Sequence, residues 1–150
     1  MTRDERYIYT ALEQAKEAFL RREIAVGAVV VHNDKVISSG YNLRETTSDP
    51  LAHAEIVAIR KATEIIGDWR LSNCEIYVTL EPCAMCAGAI IESRFKRVVF
   101  GAFDPEKGFF GSKLDLSIYS NVLGGLEVLG GVLEKQCQDL LKSSLKQLRL

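Results

Sequence analysis

Two short segments of this sequence carry the residue types that can hold a metal ion and move protons. The first is His53-Ala54-Glu55, and the second is Pro82-Cys83-Ala84-Met85-Cys86. Two cysteines three positions apart on a helix lie on one face, so both thiols can reach a single point. At a helix start, the unpaired N–H groups and the helix dipole stabilise thiolates, and proline suits that place because it lacks an N–H. We therefore expect the second segment to present two thiolates at the start of a helix.

His53 is expected in the first turn of the preceding helix, where it can complete a set of metal ligands. If the strands that lead to the two helices are neighbours, both helix starts meet at one end of the sheet, where open α/β sheets bind ligands. The set His53, Cys83 and Cys86 suits Zn²⁺ and leaves the fourth position for water, as in catalytic zinc sites. Glu55 lies about 200° round the helix axis from His53. It is therefore poorly placed to share the ion with His53, and we expect it instead to face the metal-bound water as a proton shuttle.

Other interpretations of the same residues stay open at this point. A Cys-x-x-Cys that opens a helix after a strand is also typical of thiol-redox proteins and of structural zinc sites. A lone histidine near a helix start is more often a cap or a surface residue. Cys74 and Cys137 stand alone and are expected to pack as small buried hydrophobes, and His32 is expected to face solvent in a turn.

The elements that must position these segments follow from hydrophobic spacing and turn residues. Apolar residues at helical spacing predict a first helix over 4–22, and two apolar runs joined by Asn33-Asp34 predict a hairpin with strands over 25–31 and 35–41. The remaining predictions are a loop over 42–51, a helix capped by Asp49 that runs from Pro50 to Ile66, a strand over 75–80, a helix that begins at Pro82, a strand over 97–101, a long loop over 102–121 with one helical turn, a strand over 126–129 and a helix over 132–148. A hairpin followed by alternating strands and helices predicts the α/β class, a three-layer α/β/α sandwich around a mixed five-stranded sheet.

Composition narrows the class of protein. The 150 residues fit one domain, 1–150, and 47% hydrophobic with 26% charged residues exclude a disordered or fibrous chain. No apolar run approaches the ~18 residues of a membrane span, and no signal-peptide core is visible, so we expect reduced thiols and a cytoplasmic location. A net charge of −1 argues against bulk electrostatic attraction to nucleic acid. A polyanionic partner would have to bind to a local cluster of basic residues.

The order His-x-Glu followed by Pro-Cys-x-x-Cys, each at a predicted helix start, resembles the signature of zinc-dependent nucleobase deaminases. The sequence more narrowly resembles the bacterial tRNA-specific adenosine deaminases of the cytidine-deaminase superfamily over most of its length. That narrower resemblance is carried by residues 26–30, 40–42, 49–55, 77–89, 97–102 and 111–112. It implies the same sandwich fold.

The resemblance implies a reaction and a substrate. It implies hydrolytic deamination of the wobble adenosine, position 34 of a tRNA anticodon loop, to inosine, typically in an arginine tRNA. It implies one Zn²⁺ per subunit on the residues that match its ligands, His53, Cys83 and Cys86, with Glu55 relaying protons to the ring and to the departing ammonia. It also implies a homodimer.

Further residues are expected to contact the RNA. By resemblance, Asn42 hydrogen-bonds the inserted base, the Ala54 backbone lies beside the same pocket, and Asp104 lies beside the bound nucleotides; without the resemblance, Asn42 would be taken as a turn residue. Five basic residues stand against two acidic ones between Ser93 and Lys113, and four against two in the last helix. Lys142, Lys146 and Arg149 are spaced to form one basic stripe that, with Lys107, can contact phosphates, although such runs are commonly only solvated.

Departures from the family pattern touch the RNA contacts but not the zinc ligands. Ala25 stands where the family usually has proline, Ser144 and Leu145 replace an aromatic pair, and Phe109 and Phe110 stand where small residues are usual. Exposed aromatic rings there could stack on bases or pack across a dimer interface. The alternative activity is that of a free nucleobase deaminase for guanine or cytosine, which would share every zinc residue.

Overall fold

A five-stranded sheet with helices on both faces organises the chain. The computed structural model describes residues 1–149, so Leu150, the last residue of the predicted domain, lies outside the described residues. The helices are α1 (Arg3–Leu20), α2 (Arg44–Thr47), α3 (Ala54–Ile66), α4 (Ala84–Glu92) and α5 (Glu134–Leu148), with a short 3₁₀ turn at Leu116–Tyr119. The strands are β1 (Gly27–His32), β2 (Lys35–Tyr41), β3 (Cys74–Leu80), β4 (Arg97–Ala102) and β5 (Glu127–Leu129). None of the helices within residues 1–149 combines the length and apolar character needed to span a bilayer.

The strand order is β2-β1-β3-β4-β5, and the sheet is mixed, as predicted. β1 pairs antiparallel with both β2 and β3, whereas β3, β4 and β5 are parallel. The strands that lead to α3 and α4 are therefore not neighbours, so the helix starts do not meet through adjacent strands. Because β2 and β3 are both antiparallel to β1, they run in the same direction and end at the same edge of the sheet. We call this edge, where Tyr41, Leu80 and Ala102 end their strands, the site edge.

Helices cover both faces, which confirms the three-layer sandwich. α1 and α5 pack on one face, over an apolar cluster that includes Ile8, Val29 and Tyr77. α3 and α4 pack on the other face, over a cluster that includes Ile76 and Ile90. Successive strand residues point to opposite faces, so each buried strand supplies both clusters.

The two lone cysteines and His32 occupy ordinary structural positions. Cys74 and Cys137 are buried, as predicted. His32, which was expected to face solvent, is instead half-buried at the end of β1, with Nδ1 3.6 Å from Cys74 Sγ. The Asn33-Asp34 turn is confirmed, with φ of 50° and 62° at its two residues.

Three local predictions of helix positions fail. α3 begins at Ala54 rather than Pro50, because the Asp49 carboxylate accepts from the Leu51 N–H and closes a turn instead of capping the helix. The segment predicted as a loop contains α2, whose Glu45 and Thr46 N–H groups donate to the buried carboxylate of Glu23. α4 begins at Ala84 rather than Pro82.

The second half of α5 is fastened beside the site edge. The Ser144 hydroxyl, fully buried, accepts from the Ala25 N–H at 2.9 Å and donates to the Leu141 carbonyl. Gln147 donates to the carbonyl of Phe19 in the last turn of α1. The two departures from the family pattern at Ala25 and Ser144 thus contact each other, and their hydrogen bond needs the N–H that a proline at position 25 would lack.

Candidate active site

Three ligand-bearing residues converge at the site edge. His53 Nδ1 lies 3.6 Å from Cys83 Sγ and 3.6 Å from Cys86 Sγ. All three ligand atoms lie within 4.8 Å of one another. Cys86 is buried, and His53 and Cys83 are half-buried. The sequence prediction that these residues, far apart in the chain, come together is therefore met by the structure.

The backbone at the two helix starts explains how the ligands are aimed. His53 is the N-cap of α3 and Cys83 is the N-cap of α4, and both have an extended backbone. An N-cap is usually Ser, Thr, Asp or Asn, whose side chain accepts from the first turn. His53 and Cys83 make no such capping hydrogen bond. Their side chains are directed towards Cys86, in the first turn of α4.

The spacing of these atoms fits a tetrahedral zinc ion. With Zn–S bonds of ~2.3 Å and Zn–N bonds of ~2.0–2.1 Å, a tetrahedral site places nitrogen and sulfur about 3.5 Å apart. Both Nδ1–Sγ distances here are 3.6 Å. One imidazole and two thiols are also the donor types that Zn²⁺ prefers. A zinc ion held by these three residues keeps one coordination position for water or substrate.

Hydrogen bonds already favour charge separation among the ligands. The bond between the Cys86 thiol and Cys83 Sγ lowers the pKa of Cys83 to about 3 and raises the pKa of Cys86. The pKa of His53 is raised, chiefly through its hydrogen bond with Cys83. Cys83 is therefore the thiolate of the pair, and a divalent cation at the centre would favour ionisation of Cys86 as well.

Glu55 is the acid beside this group. It is 4% exposed, in the first turn of α3. Burial is the main reason that the pKa of Glu55 is raised to about 7. The backbone N–H of Glu55 lowers this pKa, the charge on Cys83 raises it, and the charge on His53 lowers it. A carboxyl that exchanges its proton near neutral pH suits general acid–base work.

Two residues predicted to contact a base lie at the site edge, Asn42 after the end of β2 and Ala54 after His53. Asn42 is buried, and its Oδ1 accepts from the Arg44 N–H at 2.9 Å, so its turn role is present. Within residues 1–149, the Asn42 amide nitrogen makes no hydrogen bond and could donate to a ligand. Ala54, fully buried, is the first residue of α3, where backbone N–H groups lack partners within the helix.

Asp104 and Lys107 lie on a loop that is attached to the metal-ligand segment. The Asp104 carboxylate accepts from the N–H groups of Glu106 and Lys107, so this acid shapes its own turn, while the Lys107 side chain is exposed. The Phe109 N–H donates to the Pro82 carbonyl, next to Cys83. We call residues 103–112 the Asp104 loop.

Phe109 and Phe110 of the Asp104 loop were expected as exposed rings, and the structure buries them wholly or in part. Phe110 is 5% exposed and belongs to the core cluster beneath α3 and α4, and Phe109 is half-buried against the same cluster. Phe110 is therefore not an exposed ring, because its partners are distant residues of the same chain. It anchors the loop from within.

The basic residues divide between the two edges of the sheet. Lys142, Lys146 and Arg149 are exposed at the end of α5, and neighbouring Leu148 lines a cleft of about 340 Å³ that also contains Asn42 and Arg44. Arg94, Lys96 and Arg97, which were counted with the basic segment, lie before and at the start of β4, at the opposite edge. Arg97 pairs there with Asp4, Glu75 and Glu127. The predicted basic surface is thus reduced to the loop and the end of α5.

Two buried carboxylates near the site were not assigned a role from the sequence. Glu23 holds α2, and Glu81 holds the Asp104 loop, in both cases through backbone N–H groups. The available signal was local: each acid lies directly beside an apolar stretch, where a charged side chain is costly unless it is satisfied. The donors themselves are distant in the chain.

Comparison with known proteins agrees with this geometry. Residues 1–102 match the family model of the cytidine and deoxycytidylate deaminase zinc-binding region. The chain is 44% identical over 149 residues to a tRNA-specific adenosine deaminase of Bacillus subtilis, a match that covers 99% of this chain and 92% of that one.

Two solved structures are also similar. A chain solved in a study of A-to-I editing by tRNA:A34 deaminases at the wobble position superposes with a TM-score of 0.81 and 34% identity, covering 90% of this chain and 98% of the other. A guanine deaminase of Bacillus subtilis superposes with a TM-score of 0.64 and 38% identity, covering 77% of this chain and 73% of the other.

Proposed function

The chain belongs to the family of zinc-binding cytidine and deoxycytidylate deaminases, and we propose that it converts the wobble adenosine of tRNA, A34, to inosine. The observation that carries the substrate is the extent of the similarity, since a tRNA-specific adenosine deaminase is matched over nearly the full length of both chains. The reaction is adenosine plus water to inosine plus ammonia.

The ligand residues and the acid divide the chemistry between them. We assign His53, Cys83 and Cys86 to Zn²⁺, on the strength of their spacing and donor types. When bound there, the ion lowers the pKa of a coordinated water towards ~7 and so supplies a nucleophile at neutral pH. The Glu55 carboxylate takes a proton from the attacking water and delivers it to N1 of the adenine ring. It then transfers the second proton to the 6-amino group, which leaves C6 as ammonia.

The surroundings of the site suit a base that enters from a flexible loop. A buried site cannot be reached by a stacked base, and unstacking costs least in a single-stranded loop. We propose that the Asn42 amide and the Ala54 backbone N–H bind the inserted base. Asp104 and Lys107 on one side, and Lys142, Lys146 and Arg149 on the other, then contact the flanking nucleotides and phosphates.

We further propose an arginine tRNA as the natural substrate, a homodimer as the active form and the cytoplasm as the location. The resemblance to tRNA-specific adenosine deaminases supports the first two, and the tRNA substrate supports the third. Sedimentation of the zinc-loaded protein tests the dimer directly.

The decisive experiment is incubation of the purified protein with a panel of tRNA transcripts, with inosine read by sequencing. We expect inosine at position 34 of an arginine tRNA that carries A34, and none in the same transcript with G34. The Glu55→Ala variant is the control for contaminating activity. Absence of product from every A34 transcript would overturn the proposal.

A guanine deaminase is the second candidate, because a solved guanine deaminase is also similar. Ammonia release from free guanine and cytosine is therefore measured in parallel. Replacing Lys142, Lys146 and Arg149 by alanine should weaken tRNA deamination, whereas replacing the exposed Lys35, Lys61 and Lys96 removes the same charge elsewhere and should not. Equal effects of the two triple variants would count against RNA binding by the end of α5.

A further inference from the structure

The Asp104 loop is held by one buried carboxylate, that of Glu81. Glu81 follows β3 and precedes Pro82 and Cys83, and only 2% of its surface is exposed. Within residues 1–149, its carboxylate makes no hydrogen bond with His53, Cys83 or Cys86. Its oxygens instead accept four hydrogen bonds from the Asp104 loop.

The four donors lie at both ends of the loop and are all uncharged. Oε1 accepts from the Asp104 N–H at 3.0 Å and from the Ser112 hydroxyl, and Oε2 accepts from the N–H groups of Phe110 at 3.2 Å and Ser112 at 3.0 Å. A carboxylate can accept all four because each oxygen offers two lone pairs. The loop is thus wrapped round a single acceptor group.

The loop also passes directly over this carboxylate. A Cβ atom placed on Gly108 would lie 2.2 Å from Glu81 Cδ, so the backbone approaches at a distance that only glycine allows. The Phe109 N–H adds a bond to the Pro82 carbonyl at 2.9 Å. The loop is therefore fixed by hydrogen bonds to Glu81 and Pro82, the two residues that directly precede the ligand Cys83.

We infer that Glu81 is a positioning residue that holds Asp104 and Lys107 at a fixed place relative to the metal ligands, and so sets how the RNA flanking the reactive base is bound. The inference rests on the proposed function. It assigns Glu81 no contact with substrate. Its effect is exerted through the loop, and it should therefore appear in substrate binding more than in the chemical step.

The test uses Glu81→Gln, which keeps the shape but places an NH₂ group where an oxygen accepts two hydrogen bonds. Kinetics are measured on an A34 anticodon stem-loop with the zinc-loaded protein. We expect KM to rise roughly tenfold and kcat to change by less than about threefold, since binding in the ground state is what is lost. Zinc content should stay at that of the wild type.

A merely structural role is separated by a control and a double variant. Glu75→Gln changes another buried carboxylate, at the opposite edge of the sheet, and should leave KM unchanged. Lys107→Ala should raise KM and lower the salt dependence of log KM by about 0.7 for one phosphate contact on a single strand. Because Glu81 acts through the loop, Glu81→Gln combined with Lys107→Ala should raise KM less than the product of the two single effects.

Multiplicative effects, an unchanged KM, or a loss of kcat together with zinc would each overturn the assignment. If Glu81→Gln does not fold, Ser112→Ala removes one donor and leaves the other three, and should raise KM in the same direction by a smaller factor; an unchanged KM there also overturns it. Failure of the proposed function is distinguishable, because the wild-type protein would then form no inosine on the same stem-loop.

Discussion

Removal of the Ser144 hydroxyl tests how α5 is fastened to the rest of the molecule. Ser144 is fully buried, and Ala25, whose N–H it satisfies, is only 1% exposed. The variant Ser144→Ala leaves that N–H without an acceptor, and no water can replace the lost oxygen without opening the contact. Ser143, the preceding residue of α5, is exposed, so Ser143→Ala makes the same chemical change where no buried contact depends on it.

The magnitude follows from two opposing contributions. A buried donor that loses its partner costs about 1–3 kcal/mol. Replacing serine by alanine inside a helix returns about 0.5 kcal/mol through helix propensity, and this gain is common to both variants. The difference between Ser144→Ala and Ser143→Ala should therefore be about 1–3 kcal/mol. At roughly 2–4 °C per kcal/mol for a chain of this size, a central value of about 2 kcal/mol lowers Tm by about 4–8 °C.

Urea unfolding of the two zinc-loaded variants, followed by far-UV circular dichroism at one protein concentration, measures this difference. We expect Ser144→Ala to have the lower midpoint with an unchanged slope. If Ser144→Ala is as stable as Ser143→Ala, the bond to Ala25 does not contribute to stability and the reasoning is refuted.

Three further outcomes are expected. Glu55→Ala should keep one zinc per chain and lose at least about 10²-fold in inosine formation, as for loss of a general acid–base, measured by metal analysis and single-turnover kinetics; loss of zinc would contradict the assigned role. Cys86→Ser should bind zinc more weakly in a chelator competition. Because Cys86 is buried, the variant is compared with wild type by the stability that zinc adds over excess chelator, which should be smaller; an equal gain from zinc would argue against a metal role. The Arg97 guanidinium lowers the pKa of Asp4 in the folded protein. The stability that Asp4 contributes is therefore present above its ordinary pKa of about 4 and is lost as the pH falls through the lower folded value. The difference in unfolding free energy between wild type and Asp4→Asn, both measured without zinc, should accordingly become smaller below about pH 4.

Much of the fold was predictable because its patterns are local. The β2 bounds and the glycine stop of α3 agree with prediction, since the Asn33-Asp34 turn and Gly67 act through their own backbone preferences. The ligand set was also predictable, because its residue types have few other uses in that order. Local signals sufficed wherever neighbouring residues decide the conformation.

Most of the remaining errors came from contacts between distant residues. Both helix starts were placed too early because capping rules expect a side chain that caps, whereas His53 and Cys83 occupy N-caps and point elsewhere. Phe110 was expected at the surface, yet its ring packs with residues far away in the chain. The role of Glu81 could not be predicted because all its donors come from a loop that follows the next strand.

The insertion of β1 between β2 and β3 makes metal binding a reporter of folding. The hairpin of β1 and β2 can form early from local contacts, but it brings His53 near Cys83 only after β1 has also paired with β3 over residues 28–32 and 74–78. A slip of one residue in that pairing would exchange the β3 side chains between the two apolar clusters and shift His53 away from the thiols. Capture of zinc should therefore coincide with the last, longest-range step of sheet assembly, and a chain that pairs wrongly should fail to acquire the ion although every ligand is intact.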